Sequence, residues 1–352
     1  MSSSIDQPLV LVSAVNGYIA SWTAKAFLDA GYNVRGTTRS IQSSLALLNG
    51  PFKTYADTGR FSIVQVSDIT LPGAFDSAIR GCHAVVHTAS PMSLNFKDPD
   101  SVINIAVSGV KSILNSARDY GGETLKTFVL LSSFAAVKGR PKDEPYTFTE
   151  SDWDDFSGDE VARLGKTSPS GLIYKASKAA AERVMWDFQS SELLTFKMTA
   201  INPVFVWGPP LLFPEDPEDL NITAKVVWTI LSGKEIPSPL VASGGCVDVR
   251  DVARLILFSV QNVETASGQR YIAAAGVRSE QAVADILRAE YPNRREIIKK
   301  GTPFEGYLPD YSFPANSTAR IDSSKAVKAT GQGWIGPKQS IVDAARVLER
   351  YL

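Results

Sequence analysis

Through its first two hundred residues the chain alternates short, almost purely apolar runs with longer stretches whose apolar positions recur every three or four residues. Residues 9–13 read as a strand, and 17–30 as a helix that Gly31 closes. Further strands are expected at 32–38, 61–66, 84–88 and 127–131. Between the last two, 102–120 has the spacing of a long helix and stops at Gly121-Gly122. A helix over 172–190 leads to a sixth strand at 197–202. Strands without a polar face are buried on both sides, as in parallel sheets covered by helices. The alternation therefore predicts an α/β fold built on a doubly wound parallel sheet.

Beyond Pro203 the regularity weakens. Residues 209–219 are proline-rich and loop-like, and 237–245 are similar. Between them 222–231 reads as a helix, and Ile341, Ala344, Ala345 and Leu348 stand at helical spacing within 340–352. There is no internal repeat. The pattern divides into a large cofactor domain over 1–203 and a smaller substrate lobe over 204–352, with segments of the latter returning to the former.

Composition narrows the class. The chain has 352 residues, 44% of them hydrophobic and 21% charged, as in an ordinary soluble enzyme. A net charge of −1 without a dense basic block argues against a nucleic-acid or membrane-surface partner. Cys82 and Cys246 are far apart in sequence, so neither a disulfide framework nor a metal site is expected. No apolar run reaches the length of a membrane span, and the polar N-terminus leads straight into the first strand, so a reducing, cytoplasmic setting is expected. The only histidines are His83 and His87, both in or beside an apolar run, where His87 reads as mostly structural.

Candidate chemistry centres on Tyr174 and Lys178, which project from one face of a helix one turn apart. A cationic lysine beside a phenol favours the phenolate and makes the phenol a better proton donor. Ser133 follows the fifth strand, where its hydroxyl could hold a carbonyl oxygen beside that phenol. With 11 tyrosines and 36 basic residues, about one accidental match to the Tyr/Lys spacing is expected, so its context decides.

That context is a dinucleotide turn. Residues 13–20, Ser-Ala-Val-Asn-Gly-Tyr-Ile-Ala, join the first strand to the first helix, where a helix N-terminus meets a pyrophosphate. Gly17 fills one glycine position, while Ala14 and Ala20 fill the other two. Arg39 ends the second strand, where a carboxylate would select a free ribose 2′-hydroxyl; an arginine suits a 2′-phosphate. Asp68-Ile69 follows the third strand at the natural place for adenine, and Thr88-Ala89-Ser90 follows the fourth.

These residues together resemble the extended short-chain dehydrogenases/reductases, in the branch of dihydroflavonol reductases, cinnamoyl-CoA reductases and yeast-type aldehyde and methylglyoxal reductases. The resemblance spans nearly the whole chain: the turn at 12–20, Val34-Arg35-Gly36-Thr37-Thr38-Arg39, Val86-His87-Thr88-Ala89-Ser90-Pro91, Leu131-Ser132-Ser133, Tyr174-x-x-Ser177-Lys178-x-x-x-Glu182, and Asn202-Pro203-x-x-Val206-x-Gly208-Pro209. Residues 247–253 and 322–326 are similar to later signatures of the branch. The resemblance implies a Rossmann-type sheet that binds NADPH at Asn16, Gly17, Tyr18, Ile19, Arg39, Asp68, Ile69, Thr88, Ala89, Ser90, Tyr174, Lys178, Pro203 and Val206. It implies a triad in which Tyr174 is the general acid, Lys178 depresses its pKa and holds the nicotinamide ribose, and Ser133 orients the substrate oxygen. Ala14 departs from the branch, which has glycine there, and its expected cost falls on cofactor affinity.

The expected activity is NADPH-dependent reduction of an aldehyde or ketone, by a monomer or homodimer. Pro91, Met92, Ser133, Phe134, Tyr174 and Phe205 are candidates to meet the carbonyl compound, and their apolar lining suits a hydrophobic one. Two alternatives share the fold. A nucleotide-sugar epimerase or dehydratase would want an acidic ribose ligand where Arg39 stands, and 211–245 offers only Lys225 and Lys234 to a diphosphate. An NADP-sensing protein that has lost catalysis would lack the tyrosine or lysine, and both are present.

Overall fold

A strand buried on both faces must be apolar throughout, and the runs at Leu9–Val12, Ala84–His87 and Thr127–Leu131 meet that condition almost without exception. In the computed structural model, which describes residues 7–91, 95–140, 145–236, 244–314, 317 and 319–352, they form the middle of a seven-stranded sheet. Its strands are β1 (Leu9–Val12), β2 (Asn33–Thr38), β3 (Phe61–Gln65), β4 (Ala84–His87), β5 (Thr127–Leu131), β6 (Lys197–Pro203) and β7 (Gln269–Ala273). They lie in the order β7-β6-β5-β4-β1-β2-β3, and the pairs β2–β3, β1–β2, β1–β4, β4–β5 and β5–β6 are parallel. The order reverses between β1 and β4, so the connections leaving these strands diverge and leave a crevice at the strands' C-terminal ends.

The helices that matter to the site are α1 (Tyr18–Asp29), α2 (Pro99–Tyr120) and α3 (Ser170–Ser191). Pro99 starts α2, where its missing N–H costs nothing, so the helix begins before the expected 102. Leu11, Val85, Phe128 and Met198 from the strands meet Val110, Ile113 and Leu114 of α2 and Met185 of α3 in one core cluster. Each such side chain contributes about 1.5–3 kcal/mol by burial, which is what fixes the helices to the sheet.

The chain divides into two compact units. The first gathers Met1–Arg140, Glu150–Asn202 and Ala253–Tyr271, so its sheet is assembled from three separate stretches of sequence. The second comprises Pro141–Thr149, Pro203–Val252 and Ile272–Leu352. Within it, the strands Phe205–Trp207, Gly245–Asp248 and Gly276–Val277 make a small sheet, and Tyr146–Phe148 pairs in parallel with Ala319–Ile321. The helix expected at 222–231 is present, and its Val227 and Leu231 pack with Trp207, Val283, Leu287, Ile341 and Leu348. Residues 209–219 are irregular apart from a short turn at Pro217–Asp219. Most of the loop expected at 237–245 lies outside the described residues, and Gly245 already belongs to a strand.

Candidate active site

The end of β1 organises the crevice through Ser13, which is fully buried. Its hydroxyl oxygen accepts the backbone N–H groups of Thr88 (2.8 Å) and Ala89 (2.9 Å), so its own proton points to His87 Nδ1 at 3.1 Å. Thr88 Oγ1 returns a hydrogen bond to the Ser13 carbonyl. His87 is packed edge-on against Phe75, and burial, aided by the charge of Lys178, pushes its imidazole down to about 3. It is a neutral structural residue that accepts from Ser13, and the Thr88-Ala89 turn is held by β1 itself.

The phosphate turn follows. Ala14 has φ +49°, the left-handed region that a Cβ disfavours by about 1–2 kcal/mol. The turn closes by a hydrogen bond from Gly17 N to Ala14 O (2.8 Å), and Val15 N donates to Thr37 O (2.9 Å). Gly36 makes room for Val15: a Cβ there would come within 2.4 Å of Val15 Cγ1. Asn16 donates to Ser43 Oγ at 3.2 Å, which fixes its side chain beside the turn. α1 then begins at Tyr18-Ile19 with no side-chain cap and no acidic residue in its first turn. A helix N-terminus left in that state favours an anion.

The other cofactor candidates stand where the parallel strands end. Arg39 is exposed directly after β2. Asp68 is exposed after β3 and accepts from Thr70 N and Thr70 Oγ1 (2.8 and 2.7 Å), which hold its carboxyl below the usual range. Ile69 lies against α2 at Gly109, where a Cβ would meet its Cδ1 at 2.9 Å. Ser90 and Pro91 continue the β4 turn, whereas Met92 lies outside the described residues.

The proton-handling group forms where β5 meets α3. Ser133 caps the turn Phe134–Ala136, accepting from Ala135 N at 3.1 Å, and its hydroxyl is near enough to the Tyr174 phenol to pull its pKa down. Lys178, one turn along α3, is buried and donates from Nζ to the Leu131 carbonyl at 3.1 Å. Burial pushes the ammonium down to about 8, with Glu182 opposing the shift. The expectation that Lys178 depresses the phenol's pKa differs from what this arrangement produces. Burial raises the Tyr174 phenol above its ordinary value and the Ser133 contact pulls it down, while the ammonium spends its hydrogen bond on Leu131. Phe134 is almost wholly buried, a core position as much as a site position.

Three polar residues behind this group carry no role in the pattern-based reading. Glu182 is fully buried and accepts from four donors: Ser132 Oγ (2.5 Å) and Asn202 Nδ2 (2.6 Å) on one oxygen, Arg270 Nε (2.6 Å) and Trp186 Nε1 (3.3 Å) on the other. Asn202 Nδ2 also donates to the Ser133 carbonyl at 3.1 Å. Arg270, on β7, donates to the carbonyls of Glu150 (2.7 Å) and Asp152 (2.6 Å) and lies 3.8 Å from the Trp153 ring centroid. The spacing of Glu182, four residues beyond Lys178, was the available signal for the first of these. Nothing local marks Arg270.

Pro203, Phe205 and Val206 fall in the second unit. There Val206 pairs with Val247, and Phe205 lies beneath the Arg278 guanidinium at 3.7 Å and edge-on to Trp207. A cavity of about 610 Å³ lined by Tyr32, His83, Lys126 and Lys197 opens at the other, N-terminal edge of the sheet and touches none of the candidates. Among the described residues there is no cluster of His, Cys, Asp and Glu able to hold a metal ion, and no helix is long and apolar enough to cross a membrane.

Comparison with known proteins points the same way. The model of the NAD dependent epimerase/dehydratase family matches residues 10–274. The NADPH-dependent methylglyoxal reductase GRE2 of Saccharomyces cerevisiae is 30% identical over 97% of this chain and 98% of its own. A ketoreductase of Aspergillus niger is 33% identical over 95% and 96%. The crystal structure of yeast methylglyoxal/isovaleraldehyde reductase Gre2 complexed with NADPH superposes with a TM-score of 0.83 at 30% identity, covering 97% of this chain and 98% of that one.

Proposed function

Because this chain belongs to the NAD dependent epimerase/dehydratase family and aligns end to end with NADPH-dependent methylglyoxal reductases, we propose that Tyr174, Lys178 and Ser133 reduce an aldehyde or ketone to an alcohol. The protein is an NADPH-dependent carbonyl reductase with a Rossmann-type sheet. NADPH supplies the hydride when bound. The observation that carries the residue roles is the hydrogen bond from the buried Lys178 to the Leu131 carbonyl, which ties α3 one turn from Tyr174 to the end of β5 where Ser133 caps the following turn.

Each residue's task follows from its surroundings. Burial keeps the phenol protonated across the neutral range, the state a proton donor needs. Ser133 donates to the carbonyl oxygen and holds it beside that phenol. The Lys178 ammonium can turn from Leu131 to a ribose hydroxyl, and in that position its charge would bear on the phenolate that forms. At the far end of the crevice the uncapped start of α1 would hold the pyrophosphate, and Arg39 would meet the 2′-phosphate. His87 and Ser13 hold the Thr88-Ala89 turn against which the cofactor lies. No acidic residue stands at the end of β2, which weighs against an NAD-retaining epimerase.

Two measurements test this. NADPH consumption against a panel of aliphatic and aromatic aldehydes, ketones and keto esters is expected to show turnover with the apolar members; a flat panel would leave a cofactor sensor as the better reading. Ala14→Gly is expected to tighten NADPH binding by at most about fivefold to thirtyfold, since glycine removes a φ +49° strain of about 1–2 kcal/mol. A dissociation constant unchanged or raised would show that the alanine costs the turn nothing.

A further inference from the structure

Two groups on α3 grip the same end of β5. Lys178 donates to the Leu131 carbonyl, and one helical turn on Glu182 accepts from the Ser132 hydroxyl. The same Glu182 oxygen holds Asn202, which in turn donates to the Ser133 carbonyl. Ser133 is thus tied at its backbone through Asn202 and at its neighbour through Ser132, and both ties run to one carboxylate. The other oxygen of that carboxylate is bound by Nε of Arg270, whose Nη1 donates to the carbonyls of Glu150 and Asp152. Four donors on a fully buried carboxylate leave it no freedom to rotate.

We propose that Glu182 is a positioning residue for carbonyl reduction: through Ser132 and Asn202 it sets where the Ser133 hydroxyl stands relative to the Tyr174 phenol. This rests on the reduction chemistry assigned above. Glutamine at 182 keeps the shape but must turn its NH2 either toward the Ser132 and Asn202 donors or toward the Arg270 guanidinium. Either choice sets donor against donor, so the β5 turn loses its anchor or the arginine loses its partner. Misplacing a reacting group by about 1 Å can lower a rate about a hundredfold.

The carboxylate also acts on charge. The groups that face the Lys178 ammonium are the Leu131 carbonyl of β5, the neutral His87 of β4 and, on its own helix, Tyr174 and Glu182. Arg270 of β7 meets only the far oxygen of Glu182, while Asp154 and Lys138 engage Lys175 instead. Of these, Glu182 is the group that raises the lysine's pKa. Removing its charge lowers that pKa further, so the ammonium is lost at lower pH.

The experiment compares full-length wild type, Glu182→Gln and Ser132→Ala by steady-state reduction from about pH 6 to about pH 10, and by NADPH fluorescence titration. Glu182→Gln is expected to lower kcat at least about tenfold, to shift the alkaline limb of its pH profile toward neutrality, and to leave the NADPH dissociation constant within about twofold. Ser132→Ala keeps the charge and is expected to lower kcat severalfold with the limb in place. A merely structural carboxylate predicts a lower melting temperature with kcat and limb unchanged in the folded fraction, which would overturn the proposal. Should Glu182→Gln not fold, an unchanged kcat in Ser132→Ala overturns it instead. A wild type that reduces no carbonyl overturns the reduction chemistry and the proposal together, whereas wild-type turnover with an indifferent Glu182→Gln overturns the proposal alone.

Discussion

Tyr174→Phe is expected to lower carbonyl turnover by about 10²–10⁴-fold or more while NADPH still binds. Phenylalanine keeps the ring and loses only the hydroxyl, so the half-buried packing of this part of α3 survives. What disappears is the group proposed to give a proton to the nascent alkoxide. Ser133 can hold that oxygen but is far too weak an acid to replace the phenol, and Lys178 is directed at the Leu131 carbonyl. The proposed cofactor contacts at the β1 turn, at Arg39 and at Thr88-Ala89 are untouched, so binding and chemistry should separate cleanly in fluorescence titration against steady-state rates. Activity retained within about tenfold would remove Tyr174 from the role of acid.

The pH dependence belongs to the lysine. In the folded protein the Lys178 ammonium titrates at about 8, whereas burial holds the phenol above its ordinary value. As pH rises through about 8 the lysine loses its charge first, the proposed stabilisation of a nascent phenolate goes with it, and the rate is expected to fall. A wild-type alkaline limb near that value, rather than near the ordinary range of a phenol, is the corresponding result.

Arg39→Ala should produce the second large effect, on cofactor choice. The arginine is exposed at the end of β2, and no hydrogen bond or ion pair of its side chain is found among the described residues. A guanidinium available in this way offers charge-assisted bonds worth about 1.5–3 kcal/mol to a 2′-phosphate. Losing them raises the KM for NADPH by about 10–100-fold and leaves NADH kinetics within about twofold, because NADH brings no phosphate to that position. Initial rates with both cofactors decide the matter. A parallel loss with both would mean that Arg39 supports the strand end and reads nothing.

Much of the fold is legible without coordinates because a parallel sheet leaves a coarse trace. Strands such as 127–131 carry no polar face, and glycines at 31 and 121–122 mark where helices stop. Tyr174 and Lys178 could be found because one helical turn links them in sequence as in space. The second unit is harder to read: its strands are short, as at Gly276–Val277, and its pairings join distant segments such as 146–148 and 319–321. For the same reason Arg270 escapes notice. Its partners are Glu182 and the carbonyls near 150, and no periodicity connects them.

The titration of Lys178 escapes a sequence reading differently. Spacing placed the ammonium beside the phenol, but its pKa depends on how deeply α3 packs against β5, which only the assembled sheet decides.

The three-part construction of the first unit bears on how the protein is made. β6 is complete once residue 203 is synthesised, yet its neighbour β7 comes only with 269–273, after the ribosome has produced Pro203–Val252 of the other unit. Until then β6 is an open edge, and the Glu182 carboxylate lacks the cation that neutralises it. A nascent chain of this protein thus passes through a stage in which its most buried acid and a bare strand edge coexist, the state most exposed to misassociation and most dependent on chaperones. C-terminal truncations ending before residue 270 should be trapped at that stage.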